Sequence, residues 1–171
     1  MRKFVLNTVI ALISFSFLSL SYAGDEPEPS ETELNLFSGV FDFSDQNQKG
    51  NIFGFQHQND ELFRNSFLGR LSPITGGWLT DNQSVYLYTG AQAEYNLGLV
   101  KITPSFAPGY YNSGDAKDLG SPLEFKSEIQ MSLNLSDSTE FGISYNHISN
   151  ASLGDKNPGA NSYMLNFLKQ F

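Results

Sequence analysis

Residues 146–162, NHISNASLGDKNPGANS, combine side chains that can hydrolyse an ester. His147 and Ser149 lie two residues apart, and an imidazole can take the proton of a serine hydroxyl as that hydroxyl attacks a carbonyl carbon. Several asparagines in the same stretch supply amide groups, which can orient the imidazole or donate a hydrogen bond to an oxyanion. The alternative interpretation is a polar strand end that meets lipid headgroups and carries out no chemistry.

Metal chemistry is not indicated by the remaining residues. The chain has one other histidine, His57, which lies beside a polar turn and is interpreted as a surface residue, and it has no cysteine. Two histidines without His-Glu-x-x-His spacing do not make a zinc site, and the acidic loops do not match a calcium-binding loop. We therefore predict neither a metal nor a cofactor.

Residues 1–23 have the features of a cleaved secretory signal peptide. Arg2 and Lys3 precede an apolar run, and the small residues Ser21 and Ala23 provide a cleavage site. The alternative is an uncleaved anchor, but the apolar run is short for a membrane span. We predict that the chain is exported and that the segment is removed.

The composition of the rest favours a membrane barrel. Residues 24–33 are acidic and contain proline, which predicts a mobile lead-in before a single domain at 34–171. The chain carries 15 Phe, 8 Tyr and 15 Gly with a formal net charge of −8, and no basic patch points to a nucleic-acid partner. An exported, aromatic-rich chain without cysteine is typical of outer-membrane barrels, with a soluble β-sandwich as the competing class.

Alternating segments separated by turn signals predict eight strands. Their approximate bounds are 34–44, 50–57, 66–79, 84–96, 98–110, 121–135, 139–150 and 161–171. Strands of this length suit a tilted membrane strand better than a sandwich. The apolar alternation that ends in Phe171 is a further feature of outer-membrane proteins.

The segment PLEFKSEIQMSLNL shows the alternation most clearly. Side chains of a strand point alternately to the two faces of the sheet. One face is apolar except for Ser127, and its members are Leu123, Phe125, Ser127, Ile129, Met131, Leu133 and Leu135. In a barrel this face meets lipid and the charged face meets a polar lumen. The predicted fold class is therefore all-β, an eight-stranded antiparallel transmembrane β-barrel.

The same alternation predicts where the polar stretch points. His147 and Ser149 share the face of Phe141 and Ile143, so they should point outward to lipid. Counting back from the C-terminus by twos places Asn161 on that outward face as well. With both termini periplasmic, the connection between the last two strands is extracellular. The stretch should therefore lie on the outer wall, near the leaflet that contains lipopolysaccharide in Gram-negative bacteria.

The residues HISNASLGDKNPGANS resemble a C-terminal signature of the lipid A 3-O-deacylases, and PSFAPGYYNSGDAKDLGSPLEF is similar to that family too. The resemblance covers roughly residues 70–171. It implies an eight-stranded barrel of the outer membrane that hydrolyses the ester-linked acyl chain at the 3 position of lipid A. The partners that it implies are lipopolysaccharide and outer-membrane lipid, and no cofactor is needed.

The resemblance also implies roles for particular residues. Ser149 would be the nucleophile and His147 the base, and Asn150 or Asn157 would stand at the oxyanion. The family has a glutamate at the position of Asn161. Asparagine can hold the imidazole tautomer but brings no charge, and loss of the acid from a Ser-His-Asp system can lower turnover by about 10⁴.

Two functions therefore stay open at the level of sequence. One is an outer-membrane esterase that acts on lipid A, and the other is a non-catalytic barrel with a structural or ligand-binding role. Asp155 is a nearby acid that could replace the missing carboxylate, although a solvated loop acid is the simpler interpretation. The sequence also leaves open whether the chain forms a homodimer.

Overall fold

The structure, a computed structural model, describes residues 32–45 and 48–171. The predicted signal peptide and residues 24–31 of the predicted lead-in lie outside the described residues. The strands are β1 (Thr32–Phe41), β2 (Gly50–Asn59), β3 (Arg64–Ser66), β4 (Gly69–Thr80), β5 (Val85–Ala93), β6 (Tyr95–Leu97), β7 (Val100–Asn112), β8 (Leu123–Ser136), β9 (Thr139–Ser149) and β10 (Ala160–Gln170). No helix among these residues is long and apolar enough to cross a membrane.

The strands close into one antiparallel barrel. β1 pairs with β10 on one side and with β2 on the other, and β2 also pairs with β4, which closes the sheet. β3 follows β2 after a short 3-10 helix at Asp60–Leu62, and β6 follows β5 after Glu94. These two short strands lengthen β2 and β5, so the ten segments make eight barrel strands. The predicted eight-stranded antiparallel barrel is confirmed.

The first strand begins at Thr32, slightly before the predicted start at 34. Glu33, assigned to the lead-in by its acidic surroundings, is instead buried inside the barrel. Its Oε2 atom lies 3.2 Å from Nζ of Lys101, which also contacts Oε1 of Glu140 at 2.7 Å. The pairing partner of Glu33 lies far along the chain, so local composition did not reveal it.

The barrel has an apolar outer wall and a polar interior. On β10, Tyr163, Leu165 and Phe167 are each about half exposed on the outside. Inside, Nδ2 of Asn35 donates to Oε1 of Gln130 at 3.1 Å and to Oδ1 of Asn166 at 3.0 Å. A soluble sandwich would show the opposite arrangement, so this pattern identifies the wall as lipid-facing.

The interior is filled by side chains. Eight strands enclose a space that is just wide enough for them. Near one end, an aromatic cluster closes the lumen, with ring centroids of Trp78 5.3 Å from Phe41, 5.7 Å from Tyr86 and 6.0 Å from Tyr111. A lipid chain cannot enter this packed lumen, so a lipid-binding site has to lie on the outer wall or at an end.

The longer connections share the end that the aromatic cluster closes. The connections at this end, which we call the loop end, include the described residues 42–45, 48–49, 81–84, 113–122 and 150–159. The opposite end holds the short turns and both ends of the described chain. In outer-membrane barrels the long connections are extracellular, which assigns the loop end to the outer surface.

Candidate functional site

β9 and β10 bring His147 and Asn161 together on the outer wall. The two residues are direct partners in the antiparallel ladder. Each lies an even number of residues from an exposed apolar side chain of its own strand, Ile143 on β9 and Leu165 on β10, so both are on the outward face. Both are partly buried near the loop end. The predicted outward direction of this pair therefore agrees with the structure.

A hydrogen bond links the two side chains and sets the histidine tautomer. Nδ1 of His147 lies 2.8 Å from Oδ1 of Asn161. An amide oxygen can only accept, so the hydrogen must be on Nδ1. The Nε2 atom then keeps its lone pair and can act as a base.

Gly159 leaves the space that the imidazole occupies. A Cβ atom at Gly159 would lie 2.8 Å from Cε1 and 3.3 Å from Nε2 of His147. Gly159 directly precedes Ala160, the ladder partner of Ile148, so it lies level with Ser149. The Nε2 edge of the ring is therefore presented at the height of Ser149, which lies on the same outward face at the end of β9.

Gly159→Ala is expected to lower kcat of an ester hydrolysis at this site by roughly 100-fold, since a misplaced catalytic group is penalised steeply. The new methyl group would push the imidazole away, and the φ of +61° at this position strains any L side chain. Initial-rate measurements on the folded variant check this result. Gly69→Ala is the matched control, because Gly69 also has positive φ but lies at the far end with open space around it. Equal losses in the two variants would contradict the steric explanation.

Ser127 is a second serine on the outward face close to His147. It is the ladder partner of His147 on the β8 side, while Phe125 is the partner of Ser149. The imidazole, however, contacts Asn161 and Gly159 on the β10 side. Ser127 therefore faces the ring from the side opposite to its two contacts, and it provides a natural comparison for Ser149.

The two asparagines predicted at the oxyanion have different surroundings. Asn150 is fully buried, and its Nδ2 donates to the carbonyl oxygens of Leu119 at 2.6 Å and Lys156 at 2.8 Å. Asn157 is exposed, and its Oδ1 accepts from the backbone N–H of Asn150 at 3.1 Å. Because Oδ1 is held in this way, Nδ2 of Asn157 is directed away from Asn150. The amide donors of Asn150 hold two loops together, and those of Asn157 stay at the surface.

The chain makes a strained turn directly after Ser149 and Asn150. Ala151 and Ser152 both have positive φ, 51° and 63°, and the backbone N–H of Leu153 donates to the carbonyl of Asn150 at 2.9 Å. Non-glycine residues in this conformation cost of the order of 1 kcal/mol each and concentrate at functional sites. The sequence gives no sign of this turn, because no glycine marks either position.

Surface contacts tie this loop to its neighbour. Nζ of Lys156 lies 2.8 Å from Oδ2 of Asp118 in the 113–122 connection, and Oδ1 of Asp118 accepts from the N–H of Gly120 at 2.9 Å. The hydrogen bond with Lys156 holds the pKa of Asp118 below its ordinary value. Together with Asn150, this pair fixes the loop that follows the candidate nucleophile.

Neither Asp155 nor Glu128 takes the position of the family glutamate. Asp155 is exposed in the 150–159 connection, whereas Asn161 makes the contact at Nδ1 of His147. Glu128 lies on the lumen side, where its Oε1 is 3.1 Å from Nζ of Lys126. Within residues 32–45 and 48–171, the His, Asp and Glu side chains do not form a group that could hold a metal ion.

A closed eight-stranded barrel with an apolar outer wall, carrying a polar site on that wall, defines an outer-membrane β-barrel protein. The family model for lipid A 3-O-deacylase (PagL) matches residues 50–169. The chain therefore belongs to the PagL lipid A 3-O-deacylase family. This membership confirms the resemblance found in the sequence.

Solved structures of outer-membrane barrels are similar to the chain. The crystal structure of the outer membrane enzyme PagL has a TM-score of 0.63 and 20% identity, covering 80% of this chain and 98% of that one. A de novo designed transmembrane β-barrel has a TM-score of 0.55 and 10% identity over 86% of this chain and 100% of its own. Neisserial surface protein A has a TM-score of 0.54 and 9% identity, covering 84% and 98%. At these identities the likeness concerns the fold. The comparison with curated proteins gave no match.

Proposed function

We propose that this chain is an outer-membrane esterase that removes the ester-linked acyl chain from the 3-O position of lipid A. The observation that carries the proposal is the contact between Nδ1 of His147 and Oδ1 of Asn161 on the outer wall. It leaves Nε2 as a base at the height of Ser149. Membership of the deacylase family supports lipid A as the substrate.

The location of the site suits a substrate that never leaves the membrane. The polar residues lie on the lipid-facing wall near the loop end, level with the headgroups of the outer leaflet. Lipid A can reach them by lateral diffusion, with its acyl chains along the apolar wall. Polar groups at this height are tolerated, because the free-energy cost of exposing them falls to about 0–1 kcal/mol near the interface.

The reaction proceeds through an acyl-enzyme. Oγ of Ser149 attacks the ester carbonyl carbon, and its proton passes to Nε2 of His147. When the tetrahedral intermediate collapses, the bond from carbonyl carbon to sugar oxygen breaks and His147 returns the proton to that oxygen. Water then attacks the acyl-serine with His147 again as base, which releases the fatty acid and restores Ser149.

Asn157 stabilises the negative oxygen of the tetrahedral intermediate. Its Oδ1 is held by the backbone of Asn150, which leaves the exposed Nδ2 as a donor. Asn150 acts indirectly by holding the loop through Leu119 and Lys156. A preorganised amide donor of this kind stabilises the transition state because it needs no rearrangement during the reaction.

Asn157→Asp is expected to lower kcat by about 10²–10³, the effect of losing one oxyanion donor. Aspartate keeps an oxygen that can accept from the N–H of Asn150, but it replaces the amide donor by a negative charge. Single-turnover kinetics on lipid A in detergent micelles measure the change. Asn112→Asp, at the loop end of β7, serves as a charge-matched control. A similar loss in both variants would indicate a general effect of charge at the loop end.

A non-catalytic barrel is the second candidate function. The observation that favours it is Asn161, which lacks the charge of the family glutamate. Such a barrel would use the polar patch to bind lipopolysaccharide headgroups without cleaving them. Lipid A incubated with such a barrel would remain uncleaved at any protein concentration.

The test of the proposed function is fatty-acid release from purified lipid A by the folded, purified protein. We expect one 3-hydroxy fatty acid to be released from the ester at position 3, while amide-linked chains stay in place. Gas chromatography of the free acid and mass spectrometry of the remaining lipid A identify the bond that is cleaved. Intact lipid A after prolonged incubation with folded protein would overturn the proposal in favour of the non-catalytic barrel.

A further inference from the structure

Asn161 contacts a second side chain, Tyr145, in addition to His147. The hydroxyl of Tyr145 donates to Oδ1 of Asn161 at 2.8 Å, so one amide oxygen accepts from both Tyr145 and His147. Tyr145 lies two residues before His147 on β9 and shares its outward face. Its direct ladder partner is Tyr163, so it reaches Asn161 diagonally.

An asparagine at this position has an orientation problem that a carboxylate does not have. The two ends of the amide have nearly the same shape, but one accepts hydrogen bonds and the other donates them. If Nδ2 of Asn161 faced His147, it would donate to Nδ1. The proton would then sit on Nε2, and the imidazole could not take a proton from Ser149.

Building on the proposed function, we propose that Tyr145 is a positioning residue that compensates for the loss of the family glutamate. A phenol hydroxyl is a better hydrogen-bond donor than acceptor, so its place beside the amide favours the orientation in which Oδ1 faces both partners. This orientation places the hydrogen on Nδ1 of His147 and keeps Nε2 free. Tyr145 acts on the histidine through Asn161 and does not touch the reacting atoms.

The aromatic neighbours of Tyr145 hold its ring in place. Phe43 and Tyr163 have ring centroids 4.4 Å apart, and the Tyr145 centroid lies 5.3 Å from Tyr163 and 6.4 Å from Phe43. The backbone N–H of Phe43 also donates to the carbonyl of Asn161 at 3.1 Å. The hydroxyl of Tyr145 and the amide that it orients therefore share one packed cluster on the outer wall.

The test compares the loss of two hydroxyl groups from this cluster in two backgrounds. Tyr145→Phe removes the hydrogen bond to Asn161. Tyr163→Phe removes the hydroxyl of a neighbouring ring that packs in the same aromatic cluster. We expect Tyr145→Phe to lower kcat about tenfold with KM unchanged, because the loss of one hydrogen bond to the amide of Asn161 lets the amide turn and lowers the fraction of His147 with a free Nε2. Tyr163→Phe should stay within about twofold of the unchanged protein.

The second background is Asn161→Glu. Both ends of a carboxylate accept hydrogen bonds, so the orienting role of Tyr145 disappears, and Tyr145→Phe should then change kcat by at most about twofold. Equal effects of Tyr145→Phe and Tyr163→Phe would overturn the proposal. An equal loss of kcat from Tyr145→Phe in the unchanged protein and in the Asn161→Glu protein would also overturn it, because Tyr145 would then act only through packing.

A spectroscopic measurement separates this proposal from the proposed function. The variant His57→Gln leaves His147 as the only histidine, so ¹⁵N-histidine labelling reports its tautomer directly. We expect hydrogen on Nδ1 in this protein and a shift towards hydrogen on Nε2 after Tyr145→Phe. An unchanged tautomer in the Tyr145→Phe protein would overturn the orienting role, whether or not the protein cleaves lipid A.

Discussion

Ser149→Ala and His147→Ala are each expected to lower the rate of lipid A deacylation by at least about 10³, since members of a nucleophile–base pair act as a unit. Ser149→Ala removes the only atom that forms the acyl-enzyme bond. His147→Ala removes the base that takes the proton of the Ser149 hydroxyl. Asn161 cannot replace the imidazole as base, because an amide has no basic nitrogen. Initial rates with purified lipid A measure the loss. The double variant should be little slower than either single variant.

Two control variants match these changes in residue type and also lie on the outward face of the barrel. Ser127→Ala removes an exposed serine hydroxyl from the same outward face, one strand away from Ser149. His57→Ala removes an exposed, outward-facing histidine from β2. His57 pairs with Leu34 near the end of the barrel opposite to the loop end. Both should keep rates within about twofold of the unchanged protein. Activity that survives in Ser149→Ala, or is lost in Ser127→Ala, would contradict the assignment of the nucleophile.

Asn161→Glu is expected to raise kcat by about 10- to 100-fold, because a charged hydrogen bond stabilises the imidazolium by about 1.5–3 kcal/mol. The 10⁴-fold effect known for loss of the acid from a Ser-His-Asp system arises largely from the wrong tautomer. Here Oδ1 of Asn161 already holds the hydrogen on Nδ1 of His147, so only the missing charge remains to be restored. Steady-state kinetics with separate kcat and KM values measure the gain.

Asn161→Gln is the control that separates charge from length. Glutamine has the size of glutamate but is neutral, so it should not raise kcat. If Asn161→Gln and Asn161→Glu had the same effect, side-chain length would explain the change. If Asn161→Glu lowered kcat in a folded barrel, the site would not work as an uncharged version of the family arrangement.

Much of the fold could be predicted from the sequence because strand alternation is a local property. The apolar positions of β8 and the parity of His147 and Ser149 follow from a period of two, and the structure has the same faces. The pairing of His147 with Asn161 follows from the same parity once β9 and β10 form a hairpin. The alternation could not separate a membrane barrel from a sandwich, but the polar interior around Asn35 does.

The parts that could not be predicted depend on contacts between distant segments or on loop conformation. Asn150 is buried between two loops, where its Nδ2 donates to the carbonyl oxygens of Leu119 and Lys156. Leu119 is distant in sequence, so this role does not follow from the local sequence. The contact of Gly159 with the imidazole appears only in the folded hairpin, where a Cβ at this position would meet the ring of His147. The difference between Ser127 and Ser149 likewise depends on the direction of the imidazole, which contacts Asn161 and Gly159 on the side away from β8.

The most direct test of the central claim is to trap the nucleophile with an alkyl phosphonate that mimics the tetrahedral intermediate. The folded protein is incubated with the probe in micelles, digested, and mapped by peptide mass spectrometry. We predict one phosphonate per chain on Ser149, with deacylation lost in proportion to labelling and no labelling in the His147→Ala protein. Modification of Ser127 instead, or full deacylation by a chain whose Ser149 is completely labelled, would contradict the account.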